Sequence, residues 1–298
     1  MDPGATLKRL VAVAVVAVLG GCSSHQLDLE ALSSASDEVV WEAGRKAAEK
    51  KDWESARQYY RRLIDAFPQS EHQAEARIGV ADSYFEEGGT GNYVLAVSAY
   101  REFLTLYPQH PKSDYAQFRA AESYFEQKNS PDRDQTATEQ ALEEYQRLLD
   151  VYAESPWVEP AREKIRECRQ TLARSHHMVG YFYQKTRKSW RSAIGRYETI
   201  LSEYPDYEHV DEVLFRLGES LGYAGRYAEA RPHLARLQSE FPESPFVAEA
   251  KKVEASFPAP AVPAAVPATA PAGPPKDDKT PAAAPSSPPP GVRPQVSL

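Results

Sequence analysis

The sequence feature that most constrains the fold is a spacing pattern that occurs five times. In each copy an alanine is followed four residues later by an aromatic residue or leucine, and an apolar residue follows three positions further on. The five copies are Ala56-Tyr60-Leu63, Ala96-Tyr100-Phe103, Ala141-Tyr145-Leu148, Ala193-Tyr197-Ile200 and Ala230-Leu234-Leu237. Because positions i, i+4 and i+7 lie on one stripe of an α-helix, the pattern predicts five amphipathic helices.

Four of these helices have a clear stop signal. A proline stands five residues after the last apolar position and is expected to end the helix, because it lacks a backbone N–H. These prolines are Pro68, Pro108, Pro205 and Pro242. In the third copy Ala153 takes the place of the proline and Pro156 follows. We therefore expect the third helix to continue for about one more turn.

A second helix is predicted before each of the five. It carries a small residue followed three positions later by a larger or apolar one, in the pairs Gly44/Ala47, Ala81/Tyr84, Ala121/Tyr124, Gly180/Tyr183 and Gly218/Leu221. Small residues allow two helices to approach closely. Helix pairs of this kind are typical of tetratricopeptide repeats, where each pair buries its apolar face only by stacking on the next. The predicted fold is all-α, an α-α superhelix of about five tetratricopeptide-like hairpins plus a capping helix over residues 38–256.

The predicted array is irregular. Successive key alanines are 40, 45, 52 and 37 residues apart, against about 34 in a regular array of this type. We expect a flexible turn at residues 88–92, a longer loop at 129–138, and an additional amphipathic stretch at 159–173 that leads into the fourth repeat. Residues 246–256 are expected to cap the end of the stack.

The first 37 residues predict export and anchoring. Residues 1–21 contain Lys8 and Arg9 and then an apolar run that is too short to span a bilayer, as in a signal peptide. The run ends in Leu19-Gly20-Gly21-Cys22, which matches the lipobox of bacterial lipoproteins. Cys22 is therefore the expected lipidation site, followed by a polar leader over residues 22–37. Ser23 rather than aspartate follows the cysteine, which favours the outer membrane, with the body facing the periplasm.

The C-terminal segment, residues 257–298, has a different composition from the repeats. From Pro258 to Leu298, 13 of 41 residues are proline, mixed with alanine and few large apolar side chains. Such a segment is predicted to be disordered with polyproline character. It could act as a solvated spacer, or it could dock on a partner or on the cell wall.

The sequence gives no sign of an active site, a cofactor or a metal centre. His176 and His177 are adjacent in a predicted helix and point about 100° apart, so they cannot share a metal as an i, i+4 pair would. Glu143 and Glu144 are interpreted as parts of a charged helix face with Arg147. We predict a protein that is not an enzyme, and the formal net charge of −8 argues against a nucleic-acid partner.

The two cysteines, Cys22 and Cys168, exclude a disulfide framework. Cys22 belongs to the export signal, which leaves Cys168 without a partner in the body of the chain. Cys168 is interpreted as a small, semi-buried apolar residue.

Particular segments resemble a known family. The stretch that runs from Ser130 to Thr136 and into the helix at Ala141 is similar to a loop and helix of the outer-membrane protein assembly factor BamD family. The run Val179-Gly180-Tyr181-Phe182-Tyr183 and the helix that follows it resemble the fourth-repeat region of the same family. The resemblance covers roughly residues 39–252, and the long Pro/Ala-rich tail departs from it.

The resemblance implies a non-enzymatic lipoprotein of the complex that folds β-barrel proteins into the outer membrane. Its partners would be the POTRA domains of the barrel insertase BamA, other assembly-complex lipoproteins and unfolded outer-membrane proteins. Arg196 matches a family arginine implicated in the BamA contact, although a surface arginine in an i, i+4 network explains it equally well. The expected substrate groove contains Tyr84, Phe85, Tyr124 and Phe125. The alternative is a tetratricopeptide lipoprotein scaffold that coordinates cell-wall synthesis or division.

Overall fold

The computed structural model describes residues 35–259, and this part of the chain contains helices and no strand. The predicted signal peptide, Cys22, and nearly all of the predicted leader and tail lie outside the described residues. Eleven α-helices and one π-helix follow one another in the order α1 Asp37–Glu49, α2 Trp53–Ala66, α3 Gln73–Glu87, α4 Thr90–Leu106, α5 Ser113–Phe125, α6 Thr136–Val151, α7 Val158–Phe182, a π-helix Tyr183–Arg187, α8 Trp190–Glu203, α9 Val210–Tyr223, α10 Tyr227–Glu240 and α11 Val247–Ala255.

The α-helices pair in sequence, and each packs mainly on the helix before it and the helix after it. The pairs α1/α2, α3/α4, α5/α6, α7/α8 and α9/α10 form five hairpins, and α11 packs on α9 and α10. The repeat pattern falls where the sequence predicts: the small residues lie on the first helix of each hairpin, and the stripe that begins with alanine lies on the second. The prediction of an all-α array of five hairpins is confirmed.

Small residues bring the helices of a hairpin close together. The ring of Tyr60 lies between Gly44 and Gly79, and a Cβ atom added at either glycine would be 2.7 Å or 2.6 Å from a ring carbon. The same relation joins Gly218 to Leu234, where a Cβ would be 2.4 Å from a methyl carbon. No larger residue fits at these positions without moving the side chain that fills the groove.

The helix that lacks a proline ends where the others do, so the expected extra turn is wrong. Helix α6 stops at Val151, and Tyr152 adopts φ −123° and ψ 51°, much as Phe67 does at the end of α2 with φ −127° and ψ 63°. The backbone N–H of Ser155 donates to the carbonyl of Tyr152 at 2.9 Å. The Ser155 hydroxyl also donates to Asp114 Oδ2 at 2.7 Å. Contacts of the next turn therefore end the helix without a proline.

One of the expected insertions is confirmed and another takes a different form. The amphipathic stretch at 159–173 leads into the fourth repeat as expected, because it forms one continuous helix of 25 residues with the first helix of that repeat. The turn expected at 88–92 is shorter, since α4 already begins at Thr90. Gly88 and Gly89 make that turn with φ of 75° and 87°, a conformation that glycine adopts most readily.

The apolar core of the described residues is divided into four clusters. Three of them contain seven or eight buried residues each and span α1–α3, α3–α5 and α5–α7. The fourth contains nineteen buried residues and runs from the second half of α7 to the segment after α11. The division falls within α7, between Cys168 and Leu172. We refer to the residues before this point as the N-terminal block and to those after it as the C-terminal block.

Candidate functional site

The predicted groove tyrosines, Tyr84 and Tyr124, occupy equivalent places near the ends of α3 and α5. Each ring is half-buried and lies beneath an arginine from the second helix of the preceding hairpin. The guanidinium carbon of Arg57 is 4.6 Å from the centroid of the Tyr84 ring, and Arg61 donates a hydrogen bond to its hydroxyl. The guanidinium carbon of Arg101 is 5.3 Å from the Tyr124 ring. Cation–π contacts of this kind hold the tyrosines toward the second helices.

The predicted groove phenylalanines, Phe85 and Phe125, face another side. The guanidinium carbon of Arg119, from the next first helix, is 3.6 Å from the centroid of the Phe85 ring. Lys164 Nζ, on α7, is 4.0 Å from the centroid of the Phe125 ring. Phe85 is half-buried, but Phe125 is only 5% exposed and belongs to the core of α5–α7.

The four predicted residues therefore do not form one continuous surface. Tyr84 and Tyr124 face the second helix of the preceding hairpin, where they contact Arg61 and Arg101. The two phenylalanines face the first helix of the following hairpin. Among these four side chains, those of Tyr84, Phe85 and Tyr124 reach solvent, whereas Phe125 has a packing role.

Two open grooves lie between successive second helices. The first, of about 360 Å³, runs between α2 and α4 over α3 and is lined by Arg61, Ile64, Tyr84 and Leu95 among others. The second, of about 810 Å³, runs between α6, α7 and the end of α8. We call it the α6–α8 groove. It lies where the two blocks meet, with Leu142 in contact with the cores of both.

Arg196 lies on the exposed face of α8, about two turns before Glu203, which lines the α6–α8 groove. Its Nη1 atom is 3.3 Å from His176 Nδ1, and no carboxylate of the residues 35–259 is within salt-bridge distance of it. Burial, followed by the nearby Arg196 guanidinium, lowers the pKa of His176 below its ordinary value. The guanidinium therefore faces a neutral ring and leaves donors free for an external acceptor, rather than taking part in an i, i+4 ion pair.

Glu144 is buried, although the sequence analysis placed it on a charged helix face. Its side chain is 2% exposed and accepts hydrogen bonds from Arg101, from Arg147 at 2.9 Å and from Gln117 at 2.8 Å. It thus joins α4, α5 and α6. Its neighbour Glu143 is exposed and pairs with Arg147 at 3.1 Å, as predicted. A signal was present: Glu144 is three residues after Ala141, on the same stripe as the core residues.

A second polar group, the half-buried Asp82, joins the second and third hairpins. It accepts hydrogen bonds from the hydroxyls of Tyr100 at 2.5 Å and Tyr115 at 3.0 Å. Burial raises the pKa of Asp82, against the lowering effect of the Tyr100 hydrogen bond. Arg119 contacts the same group through Tyr100 and forms an ion pair with Glu86 at 2.5 Å. These contacts fix the position of one hairpin relative to the next.

Cys168 and the cluster of Glu38, Glu71 and His72 are held by packing and hydrogen bonds within the fold. Cys168 is fully buried, and burial raises the pKa of its thiol to about 12, which keeps it protonated and unreactive. Glu38, Glu71 and His72 could offer three ligand atoms within 4.8 Å of one another. His72 is already stacked on Trp41, with ring centroids 5.0 Å apart, and its Nε2 contacts Glu38 at 2.8 Å. This cluster attaches the turn after α2 to α1.

None of the helices within residues 35–259 combines the length and the apolar character needed to cross a bilayer. Cys22, the predicted lipidation site, lies outside this range and remains a prediction.

Comparisons with known proteins agree with the fold and identify the family of the chain. A family model described as outer membrane lipoprotein (YfiO) matches residues 33–221, and a tetratricopeptide-repeat model matches residues 212–244. The outer membrane protein assembly factor BamD of Caulobacter vibrioides is 28% identical over 235 residues, which cover 78% of this chain and 75% of that protein. The BamD protein of Haemophilus influenzae is 26% identical over 231 residues, which cover 75% and 87%.

Among solved structures, the TPR2AB domain of yeast Sti1, in a complex with pHSP90, is 12% identical with a TM-score of 0.39. The matched region covers 74% of this chain and 97% of the Sti1 chain. The family assignment depends on the sequence matches, which extend through both blocks. This chain therefore belongs to the YfiO family of outer membrane lipoproteins, the family of the assembly factors named BamD.

Proposed function

We propose that the protein is a non-enzymatic subunit of the machinery that assembles β-barrel proteins in the outer membrane. The single observation that carries this proposal is the family match over residues 33–221, with relatives named outer membrane protein assembly factor. A stack of helical hairpins is suited to this role, because its long surface can bind several proteins at once.

The proposed anchor is the acylated Cys22, which would attach the body to the outer membrane on its periplasmic side. The lipobox supports this part of the proposal. Replacing the cysteine in Cys22→Ala should release the protein from the membrane fraction. Unchanged acylation and fractionation of that variant would rule out this anchor.

The proposed docking site for the POTRA domains of the barrel insertase is the C-terminal block with Arg196. Support comes from the exposed guanidinium, which lacks a carboxylate partner among the described residues and belongs to the helix whose end lines the α6–α8 groove. Arginine can donate two parallel hydrogen bonds to one carboxylate, so an acidic residue of the partner would fit it.

A pull-down from detergent-solubilised envelopes tests this docking site. Arg196→Glu should reduce recovery of the barrel insertase by about tenfold or more, because reversing one charge of an interface pair costs about 2 kcal/mol or more. Arg191→Glu, which changes another exposed arginine of the same helix, is the matched control and should leave recovery unchanged. Equal recovery with both variants would remove Arg196 from the interface. Recovery of cell-wall synthases without any barrel insertase would overturn the proposed function itself.

The proposed receiving surfaces for unfolded barrel proteins lie in the N-terminal block, around Tyr84 and Tyr124 on one side and around Phe85 on the other. An extended chain with aromatic residues at alternate positions can bury them against such rings without requiring one sequence. A photoreactive phenylalanine analogue at position 84 or 85 should capture unfolded barrel proteins during their assembly. The same analogue at the exposed Met178 of the C-terminal block is the control, and equal capture at all three positions would contradict the assignment.

A further inference from the structure

The α6–α8 groove exists because α7 is longer than the other first helices. Helix α7 has 25 residues, whereas α1, α3, α5 and α9 have 13 to 15. The buried residues of α6 cluster with the first half of α7, up to Cys168, and those of α8 cluster with its second half, from Leu172 onward. Helices α6 and α8 therefore pack on different lengths of α7, and an open groove of about 810 Å³ remains between them.

One complete face of α6 lines this groove. The residues of this face stand at positions i, i+3, i+4, i+7, i+8, i+11 and i+12, namely Glu139, Leu142, Glu143, Gln146, Arg147, Asp150 and Val151. Because a helix rises by about 1.5 Å per residue, the face is about 18 Å long. Its apolar side chains remain accessible, since Leu142 is only half-buried and Val151 is 62% exposed. Ile165 of α7 and Tyr204, which follows α8, complete an apolar floor.

The rim of the groove carries unpaired negative charge. Glu139, Asp150 and Glu203 are exposed carboxylates of the lining, and none of them has an ion pair within residues 35–259. The two arginines of the groove, Arg147 and Arg169, are already paired with nearby carboxylates. A ligand without cationic groups would remove water from the three carboxylates without compensation, whereas lysine or arginine would form ion pairs with them.

The walls of the groove favour a helical ligand. They consist of helix side chains, and the part of the chain that the structure describes has no strand edge with which an extended ligand could pair. An α-helix satisfies its own backbone hydrogen bonds, and its rows of side chains pack between those of neighbouring helices. A face of about 18 Å matches about twelve residues of helix, or roughly three turns.

We propose that the α6–α8 groove binds a basic amphipathic helix of a partner protein. The apolar stripe of that helix packs on Leu142, Val151 and Ile165, and its lysine or arginine side chains pair with the carboxylates of the rim. The inference goes beyond the proposed function, because Arg196 fits an acidic group whereas the groove fits a basic one. The groove is therefore a second binding surface, with the opposite charge preference.

Fluorescence anisotropy of a labelled synthetic peptide, titrated with the full chain, tests this assignment. The probe is a helix of about 14 residues with one stripe of leucine and lysine at the remaining positions. The variant that combines Glu139→Gln, Asp150→Asn and Glu203→Gln should weaken its binding by about tenfold, the factor expected for three solvent-exposed ion pairs. The same peptide with glutamate in place of lysine should also bind about tenfold more weakly than the lysine peptide, or less.

Two matched controls separate the groove from the net charge of the protein. A variant that combines Glu198→Gln, Glu243→Gln and Glu249→Gln changes the net charge equally, at exposed acids outside the groove, and should leave binding unchanged. Val151→Ser should weaken binding by about fivefold, because it removes an apolar contact. Val94→Ser, at a side chain that is 55% exposed and lies outside the groove, should not.

Equal weakening by the two triple variants would overturn the proposal, because the peptide would then respond only to net charge. Equal binding of an isomer interrupted by proline would overturn it as well, since it would assign the groove to an extended chain. Absence of binding by the lysine peptide would have the same consequence. The titration contains no barrel insertase, so its failure would leave the proposed function in place, and failure of the insertase pull-down would leave the assignment of the groove in place.

Discussion

The two blocks of the molecule bury their apolar surface in different ways. The N-terminal block divides its core into three clusters of seven or eight residues, whereas the C-terminal block has one cluster of nineteen. In the N-terminal block the hairpins are also joined by buried or half-buried polar groups, above all Asp82 and Glu144. The C-terminal block has polar contacts too, such as Gln184 with Glu219 at 2.8 Å, but they lie beside a continuous apolar core.

This difference indicates which block can adapt. Stacked repeats gain stability from their neighbours, so a small core between two hairpins can open without the others. The positions of the N-terminal hairpins depend on hydrogen bonds that require accurate geometry. A continuous core resists such opening, because it exposes apolar surface along its whole length. This contrast fits the proposed function, in which the N-terminal block binds variable substrates and the C-terminal block binds one fixed partner.

The largest expected effect is a core truncation in the C-terminal block. Phe215 is 1% exposed and lies in the large cluster, so Phe215→Ala should reduce the free energy of unfolding by about 3–5 kcal/mol. Urea denaturation followed by circular dichroism measures the loss. Val94→Ala, at a side chain that is 55% exposed, should change it by less than about 0.5 kcal/mol. A loss of similar size in both variants would contradict the continuous core.

An intermediate effect is expected at the joint formed by Glu144. Glu144→Gln removes the charge that Arg101 and Arg147 approach, and it should cost about 1–3 kcal/mol, reduced by the partial exposure of both arginines. Hydrogen exchange should increase in α4–α6 and stay unchanged in α9–α11. Glu143→Gln is the matched control at the adjacent exposed acid. If the two variants behave alike, the buried carboxylate does not hold the hairpins together.

The smallest expected effect is a pH dependence of the C-terminal block. Burial lowers the pKa of His176, His177 and His233 below the ordinary value of 6.5. The unfolded chain therefore binds protons that the folded chain does not, and stability should fall as pH decreases from about 7 through 6.5. Urea unfolding at several pH values should show a smaller slope in His177→Gln. A slope in His177→Gln identical to that of the unchanged protein would exclude this explanation.

Local patterns were enough to predict the fold, and contacts between distant residues limited the prediction of the site. The five hairpins follow from the i, i+4, i+7 stripe, because each core position is defined by its neighbours in the helix. The end of α6 was mispredicted, since Ser155 bonds to Asp114, which is 41 residues away in sequence. Glu144 and Glu143 are adjacent acids in the sequence, and only the approach of Arg101, 43 residues before Glu144, shows which is buried. Phe125 likewise became a core residue through packing with α7.

Native-state hydrogen exchange of the full chain tests the contrast between the blocks most directly. The continuous core predicts that amides in α8 to α11 open together and share one high protection level. The divided core predicts lower and separate levels for the hairpins α1/α2, α3/α4 and α5/α6. A single protection level across all eleven α-helices, or higher protection in the N-terminal block, would contradict the account.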